Sequence, residues 1–398
     1  MIHVADAFQL IIENILPFSS TEVSLIEATG RVLHEPIVAD RPFPPYNRVT
    51  MDGIALNFHT FSTGLRAFSI EKVLAAGDEP YQLEGIQNAV EVMTGALLPK
   101  FTDVVVRFED LSIANGVAKV NIDKVEQFQN IHLCGSDKPA GTLLLEKGRL
   151  LGPVELSVAA SVGKSSLKVA KFPKTILIST GDELVPVDST PKIHQIRISN
   201  SYAIFSFLKK WGIVADIIHL PDKEVDIVTK FRELLEHYEL IVLSGGISAG
   251  KFDYIPKVLN EVGITTYFHK VSQRPGKPFL FAGNAQTKIF ALPGNPVSTL
   301  LCVTRYLIPW LKLSFGLTDS GPQKVKLQTP VVFNPPFTCF LPVSITSNPE
   351  TTIPEAIPIP INGSGDFVHL LQANGFIELP ENEREFPAGR IFSFWPLT

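Results

Sequence analysis

The stretch that decides the fold is Glu239-Leu240-Ile241-Val242-Leu243-Ser244-Gly245-Gly246-Ile247-Ser248-Ala249-Gly250-Lys251-Phe252-Asp253-Tyr254. A short β-prone apolar run leads straight into a Ser/Gly-rich turn, and Ile255, Val258, Leu259 and Val262 follow at helical spacing. This strand–loop–helix order lets backbone N–H groups at a helix start hold an anion. Gly245, Gly246 and Gly250 allow tight curvature and close approach of a ligand. Asp253, at the end of the loop, is placed either to cap the helix or to hold a divalent cation. Taken alone, the stretch is equally a tight βα turn with a capping Asp, so the flanking chain has to decide between them.

Around it the composition changes near Pro173, and the pattern becomes alternating strand and helix. Residues 175–179, 213–220, 240–243, 264–271 and 289–292 read as strands; 201–211, 224–237, 253–262 and 296–315 read as helices. Alternating βα units of this length predict a largely parallel sheet covered by helices on both faces, with ligands beyond the carboxyl ends of the strands. Three strand ends in this block are polar or glycine-rich: Ile178-Ser179-Thr180-Gly181-Asp182-Glu183-Leu184, the opening stretch, and Phe290-Ala291-Leu292-Pro293-Gly294-Asn295-Pro296-Val297-Ser298. In the last, Asn295 suits an N-cap and Pro296 a first helical residue. Gln273-Arg274-Pro275-Gly276-Lys277-Pro278 adds two cations on a rigid turn. If these segments meet at one edge, they form a rim with Glu183 and Asp253 as candidate metal ligands, and with Arg274, Lys277 and backbone N–H groups as candidate phosphate ligands. Each piece also has an ordinary reading: Asp182 and Glu183 as turn residues, Arg274 and Lys277 as surface charges, Pro293-Gly294-Asn295-Pro296 as a helix start.

On either side of the α/β block the chain is β-rich. Val4, Phe8, Ile11, Ile12 and Ile15 form an opening helical stripe that ends near Pro17, and a short helix or turn follows over 25–32. Arg41-Pro42-Phe43-Pro44-Pro45-Tyr46-Asn47-Arg48-Val49-Thr50-Met51-Asp52-Gly53 reads as a proline-stiffened loop with an Asp-Gly turn. Short β runs occupy 68–73, 89–93, 104–106 and 117–125, as in a small β domain, and 153–162 reads as a helix. After about Gly321 β runs return at 325–327, 331–333, 339–345, 376–379 and 390–394, with a short helix at 366–373. The proline clusters at 42–45, 335–336 and 354–360 predict loops, edge strands and junctions.

Composition narrows the function. The 398 residues suit about two to four domains. A hydrophobic share of 45% and a charged share of 19% are ordinary for a globular chain, and a net charge of -5 leaves no basic excess for general nucleic-acid binding. Cys134, Cys302 and Cys339 are odd in number and far apart, which fits neither a disulfide framework nor a structural zinc site and suits a reducing cytoplasm. No basic-then-apolar leader opens the chain, and the most apolar region, 290–313, is too interrupted for a membrane span. None of the nine histidines forms an HExxH pair, no Ser-His-Asp or Cys-His nucleophile stands out, and Cys134 is expected to be a small buried residue.

The motifs in combination identify a family. Thr50-Met51-Asp52-Gly53, Thr94-Gly95 with Pro99 and Asp103-Val104-Val105, Ser179-Thr180-Gly181-Asp182-Glu183-Leu184, Ser199-Asn200, Ser244-Gly245-Gly246, Pro275-Gly276-Lys277-Pro278 and Leu292-Pro293-Gly294-Asn295-Pro296 resemble those of the MoeA-type molybdopterin molybdenumtransferases, bacterial relatives of the gephyrin E domain, over essentially the whole chain. The resemblance implies a multidomain α/β plus β protein: an N-terminal and linker region over 1–172 with an inserted small β domain at about 45–145, a three-layer α/β/α MoaB/Mog-like domain over 173–318, and a small β-barrel-like domain over 319–398. It implies insertion of molybdate into the dithiolene of adenylylated molybdopterin with release of AMP, aided by Mg2+. It further implies a cytoplasmic homodimer whose active site lies between subunits, with no nucleic acid and no membrane, and with molybdopterin adenylyltransferase and molybdoenzyme acceptors as partners.

By the same resemblance, Asp52 and Thr94 match partner-facing positions and serve to place substrate or molybdate. Asp137 is a further acidic position of the N-terminal half, and Glu183, Asp222 and Asp253 are those of the α/β domain, with Glu183 and Asp253 assigned to the cation. Ser244, Gly245, Gly246 and Lys277 are assigned to pterin phosphate and AMP, with Ser179, Thr180, Gly181, Ser199, Asn200, Ser248 and Arg274 also on the substrate side. Pro293 and Pro296 match the proline pair that shapes the Gly294-Asn295 loop. An anionic pterin nucleotide and molybdate repel each other, so cations and oriented N–H donors are what the reaction needs. Four positions depart from the pattern: Lys251 where an acid is frequent, Arg274 for a Lys, Ile54 for a Tyr, and Ile198 where an acid is common. Two other readings are molybdopterin adenylylation, against which the flanking β domains and Thr50-Met51-Asp52-Gly53 argue, and a non-catalytic pterin-binding scaffold, for which Lys251 argues.

Overall fold

The computed structural model describes residues 1–221, 224–247, 254–318, 321–347 and 352–397. The chain forms two compact units, one of residues 1–35, 147–153 and 166–398, the other of 36–146 and 154–165.

The first unit is built on a six-stranded sheet in the order Asp216–Leu220, Thr175–Thr180, Leu240–Ser244, Lys288–Leu292, Leu280–Gly283, Thr265–His269. The first four run parallel; Leu280–Gly283 runs antiparallel to them, and Thr265–His269 pairs antiparallel with it and so runs with the first four. Alternate residues of each strand enter different cores. Leu177, Leu240, Val242, Phe290 and Leu292 pack on one face with Ile204 and Leu208 of the helix Asn200–Lys210 and with Tyr306, Trp310 and Leu311. Ile176, Ile178, Ile241, Leu243 and Ile289 pack on the other, against Ile227, Phe231 and Leu234 of Glu224–His237 and Val258 and Leu259 of Ile255–Glu261. Burial on both faces is why these strands read as continuous apolar runs.

Two features here depart from the sequence expectation. Leu280–Gly283 is an added strand, turned back on Lys288–Leu292 by Asn284, whose Oδ1 accepts the N–H groups of Gln286 and Thr287 at 2.9 and 2.7 Å. The expected long helix over 296–315 is interrupted: helices Pro296–Cys302 and Ile308–Ser314 flank a π turn, Val303–Leu307. Pro309 accounts for it, because its ring has no N–H for the i−4 carbonyl and would clash with it in a regular helix.

The opening helix, Val4–Glu13, buries Val4, Ala7 and Ile11 in this same core, and Trp310 Nε1 donates to the Asn14 carbonyl at 3.2 Å. Residues 25–30 form a turn, and the flanking strand Ser20–Ser24 pairs antiparallel with Ser166–Ala170. The C-terminal segment closes a five-stranded barrel from Gln323–Leu327, Thr338–Thr346, Glu355–Pro358, Gly375–Leu379 and Ile391–Pro396. Glu355–Pro358 lies inside a proline cluster expected to be loop or edge. The prolines flank the strand or end it, so Glu355, Ala356 and Ile357 keep N–H groups for the ladder. Buried Arg305 of the π turn pairs with Glu378 of the barrel at 3.0 Å, and Trp395 Nε1 donates to the same carboxylate at 2.9 Å.

The second unit holds a six-stranded sheet in the order Val104–Arg107, Gly53–Leu56, Ala89–Val92, Ala67–Leu74, Val117–Val120, Leu111–Ala114. Gly53, read as part of a turn, instead opens a strand paired on both sides. A Cβ there would fall on the Val106 carbonyl oxygen, so glycine is required by close backbone approach. No helix among the described residues is long and apolar enough to cross a membrane.

Cys134 is exposed, contrary to the expectation of burial, because it lies in the loop after the two-residue strand Ile131–His132, with its N–H held by Asn47 Oδ1 at 2.8 Å. Cys302 and Cys339 are buried, and burial pushes the Cys339 thiol up to about 12. A thiol reagent at about pH 8 is therefore expected to label Cys134 alone in the native protein and all three cysteines after denaturation, as counted by mass spectrometry.

Candidate functional site

Parallel strands that pair in register end at one edge. Ser179 lies opposite Ser244, and Ser244 opposite Leu292, so the three polar segments leave the sheet from a single row. They open into a cavity of about 970 Å³. The first segment supplies Ser179, Thr180, Gly181 and Glu183; the second supplies Ser244, Gly245 and Gly246; the third supplies Pro293, Gly294, Asn295 and Pro296. Ser199 and Asn200 line it from the start of the helix Asn200–Lys210.

The packing of these segments depends on missing side chains. Gly245 has φ +105° and Gly246 φ +69°. A Cβ on Gly245 would lie 2.6 Å from the Thr180 carbonyl oxygen, and one on Gly246 would lie 3.0 Å from Thr180 Oγ1 and 2.9 Å from Ile255 Cγ1. Gly181, at φ +136°, leaves room for the Glu183 carboxylate, which a Cβ would approach to 2.6 Å. Thr180 Oγ1 is buried and has no hydrogen-bond partner among the described residues, a hydroxyl left for a ligand or water. Asn200 Nδ2 donates to Ser244 Oγ and to the Gly294 carbonyl, both at 2.7 Å, tying the helix start to the second and third segments. Asn295 occupies the N-cap position, but its side chain does not cap; Nδ2 donates to Ser364 Oγ at 2.7 Å. The Ser179 hydroxyl sits 3.1 Å from His219 Nδ1.

The charges divide between two cavities. Glu183 is exposed at the first. Arg274 and Lys277, expected on the same rim, instead line an adjoining cavity of about 750 Å³ that includes Phe333, Phe337 and Cys339. Pro278, Pro293 and Asn295 line both cavities. The turn that carries the two cations rests on a buried polar network. Gln273 Nε2 donates to the Gly276 carbonyl at 3.2 Å and approaches Cys302 Sγ at 3.7 Å, and the Tyr306 hydroxyl donates to Gln273 Oε1. A Cβ on Gly276 would meet Gln273 Nε2 at 2.6 Å, so the glycine lets the amide reach the turn. Lys277 Nζ stands 5.4 Å from the Phe337 ring centroid, within cation–π range.

The remaining candidates lie elsewhere. Asp52, Thr94 and Asp137 belong to the second compact unit. Asp52 Oδ1 accepts from the Thr94 N–H at 2.6 Å and the Thr94 hydroxyl at 2.8 Å, and these two bonds hold the Asp52 carboxyl below its ordinary value. Asp137 Oδ1 is 2.8 Å from His132 Nε2. Asp222, Ser248, Lys251 and Asp253 lie outside the described residues. The sequence reading missed Gln195, Arg197, Gly365 and Phe367, which also line the first cavity. Arg197 carried a readable signal, a cation just before Ser199-Asn200. Gly365 and Phe367 come from a C-terminal segment with no local mark.

Gly245→Ala is expected to lower unfolding free energy by about 1–3 kcal/mol, read as a lower urea midpoint at unchanged slope. A variant as stable as the parent would mean that Thr180 moves aside. Thr94→Val is expected to raise the Asp52 carboxyl toward its ordinary value, followed by carboxyl NMR. Because the folded value is lowered, the contact contributes stability above the ordinary carboxylate range, and that contribution is lost as pH falls through the folded value.

Comparison with known proteins agrees with this architecture. Family models match in chain order: the MoeA N-terminal region (domain I and II) over residues 2–163, a probable molybdopterin binding domain over 176–313, and the MoeA C-terminal region (domain IV) over 324–397. The chain is 38% identical over 399 residues to a molybdopterin molybdenumtransferase of Synechocystis sp., covering 99% of this chain and 100% of that protein. It is 29% identical to a molybdopterin molybdenumtransferase of Staphylococcus aureus, covering 98% and 94%. A solved structure of the molybdopterin biosynthesis moeA protein of Pyrococcus horikoshii aligns with a TM-score of 0.85 and 27% identity over 100% of this chain and 99% of that one; a second aligns with a TM-score of 0.85 and 24% identity over 100% of both. A match along its whole length, in three family models and in a relative 38% identical, places the chain in the MoeA family of molybdopterin molybdenumtransferases.

Proposed function

We propose that this protein inserts molybdate into the dithiolene of adenylylated molybdopterin, releasing AMP and forming the molybdenum cofactor. The observation that carries the reading is the single row of Ser179, Ser244 and Leu292, from which three polar segments enclose one cavity. Full-length similarity to proteins named molybdopterin molybdenumtransferase supports it. In this reading the Thr180 hydroxyl and the Gly246 N–H meet the phosphoryl oxygens, while the Gly245 N–H holds the Leu292 carbonyl at 3.1 Å and Asn200 keeps the segments together. Glu183 offers a hard carboxylate oxygen at the cavity, the donor type that magnesium takes beside substrate phosphate and water. When bound there, magnesium would polarise the phosphoryl group as AMP leaves. Asp253 is the proposed second donor, and Asp222 and Ser248 complete the acidic and polar set. Arg274 and Lys277 supply cations to a second anionic group in the adjoining cavity.

The proposal extends to a cytoplasmic homodimer in which Asp52, Thr94 and Asp137 of one subunit serve the α/β site of the other. A molybdopterin adenylyltransferase would supply the substrate, and molybdoenzymes would receive the product.

The test is AMP release from adenylylated molybdopterin with magnesium and molybdate, beside Glu183→Ala and Asp253→Ala. The parent is expected to turn over, and Glu183→Ala to slow it by about a hundredfold at fixed magnesium, with partial recovery at higher magnesium. Binding of the nucleotide without any AMP release would leave a pterin-binding scaffold.

A further inference from the structure

We propose that Arg197 is a phosphate-recognising residue of the first cavity, reading a phosphoryl group of the anionic substrate; the assignment rests on the function proposed above. Among the described residues that line this cavity, Glu183 and Arg197 are the charged side chains. Arg274 and Lys277 line the adjoining one. A phosphoryl ligand held beside Glu183 meets a carboxylate, and among the described lining residues Arg197 is the cationic side chain that offsets the repulsion.

Its placement is built rather than incidental. The Ile196 N–H donates to the Glu183 carbonyl at 2.9 Å, and the Ile198 N–H to the Val185 carbonyl at 3.0 Å. These bonds make the short parallel pair of Leu184–Val185 with Ile196–Arg197 and fix the Arg197 backbone beside the segment that carries Glu183. Arg197 Nε donates to the Ser189 carbonyl at 3.0 Å. That bond engages one edge of the guanidinium, while neither terminal nitrogen has a hydrogen bond or ion pair among the described residues. Two parallel N–H donors on a planar fork match two oxygens of a phosphoryl group. Three residues on, Asn200 is tied to Ser244 and Gly294, so the strand that orients Arg197 leads into the same rim.

The substrate carries phosphate chemistry on both its nucleotide and its pterin side. The test therefore measures binding of AMP, adenosine and unadenylylated molybdopterin by calorimetry to the full chain, for the parent, Arg197→Gln and Arg197→Lys. Arg197→Gln is expected to weaken one phosphorylated ligand by about ten- to a hundredfold and to flatten the salt dependence of its affinity, while adenosine binding stays unchanged. Arg197→Lys, which keeps the charge and loses the fork, is expected to fall between. A loss confined to AMP assigns Arg197 to the nucleotide phosphate, and a loss confined to molybdopterin assigns it to the pterin phosphate. Unchanged affinity for both, or an equal loss for adenosine, overturns the assignment and leaves the proposed reaction standing. A parent that binds neither phosphorylated ligand overturns both.

Discussion

The structure depends on the in-register parallel pairing of Thr175–Thr180, Leu240–Ser244 and Lys288–Leu292. Each strand is buried on both faces and apolar through its middle, so polar residues fall at its two ends, Thr175 and Lys288 where strands begin and Ser179, Thr180 and Ser244 where they leave the sheet. Register places those exits side by side. The exits then pack so closely that Gly245 and Gly246 have no room for a Cβ beside Thr180. The same crowding that excludes a side chain leaves Thr180 Oγ1 buried with no hydrogen-bond partner among the described residues. Site chemistry and sheet packing are here one constraint.

A second constraint organises the other cavity. Pro309 cannot continue a regular helix, and the chain answers with a π turn that carries Arg305 and Tyr306. Tyr306 reaches Gln273, whose amide holds Gly276 and therefore the turn bearing Arg274 and Lys277. Arg305 reaches Glu378 on the barrel, whose neighbouring strand Thr338–Thr346 provides Cys339 and Phe340 to the cavity wall. Arg305 and Tyr306 are buried, so removing Glu378 or Gln273 would strand a polar group in apolar surroundings. One irregular turn thus supports the cationic loop on one side and the barrel on the other.

The α/β block was legible because its strands are short apolar runs and its helices have a clear period, and the three polar strand ends stood out against that background. Leu280–Gly283 was not, because four apolar residues after a proline-rich turn carry no period of their own. Glu355–Pro358 was hidden by its prolines, and the exposure of Cys134 by the average tendency of free cysteines to be buried. Arg274 and Lys277, read as cations on the same rim, line a cavity that adjoins the first and shares Pro278, Pro293 and Asn295 with it. Chain order says that a turn lies between two strands; it does not say which cavity its side chains line.

By itself the sequence determined the family, the parallel α/β core and the residue types at its strand ends, because these follow from local pattern and from motifs a few residues long. Only the tertiary structure decided which of those residues share a cavity. It placed Arg274 and Lys277 on an adjoining cavity, brought Gly365 and Phe367 to the rim from a distant segment, and set Arg197 there through the backbone bonds of Ile196 to Glu183 and Ile198 to Val185. The reason is physical: propensity and motif act over a few residues, whereas a cavity wall is assembled by packing segments far apart in the chain, and no local signal encodes which of them will meet.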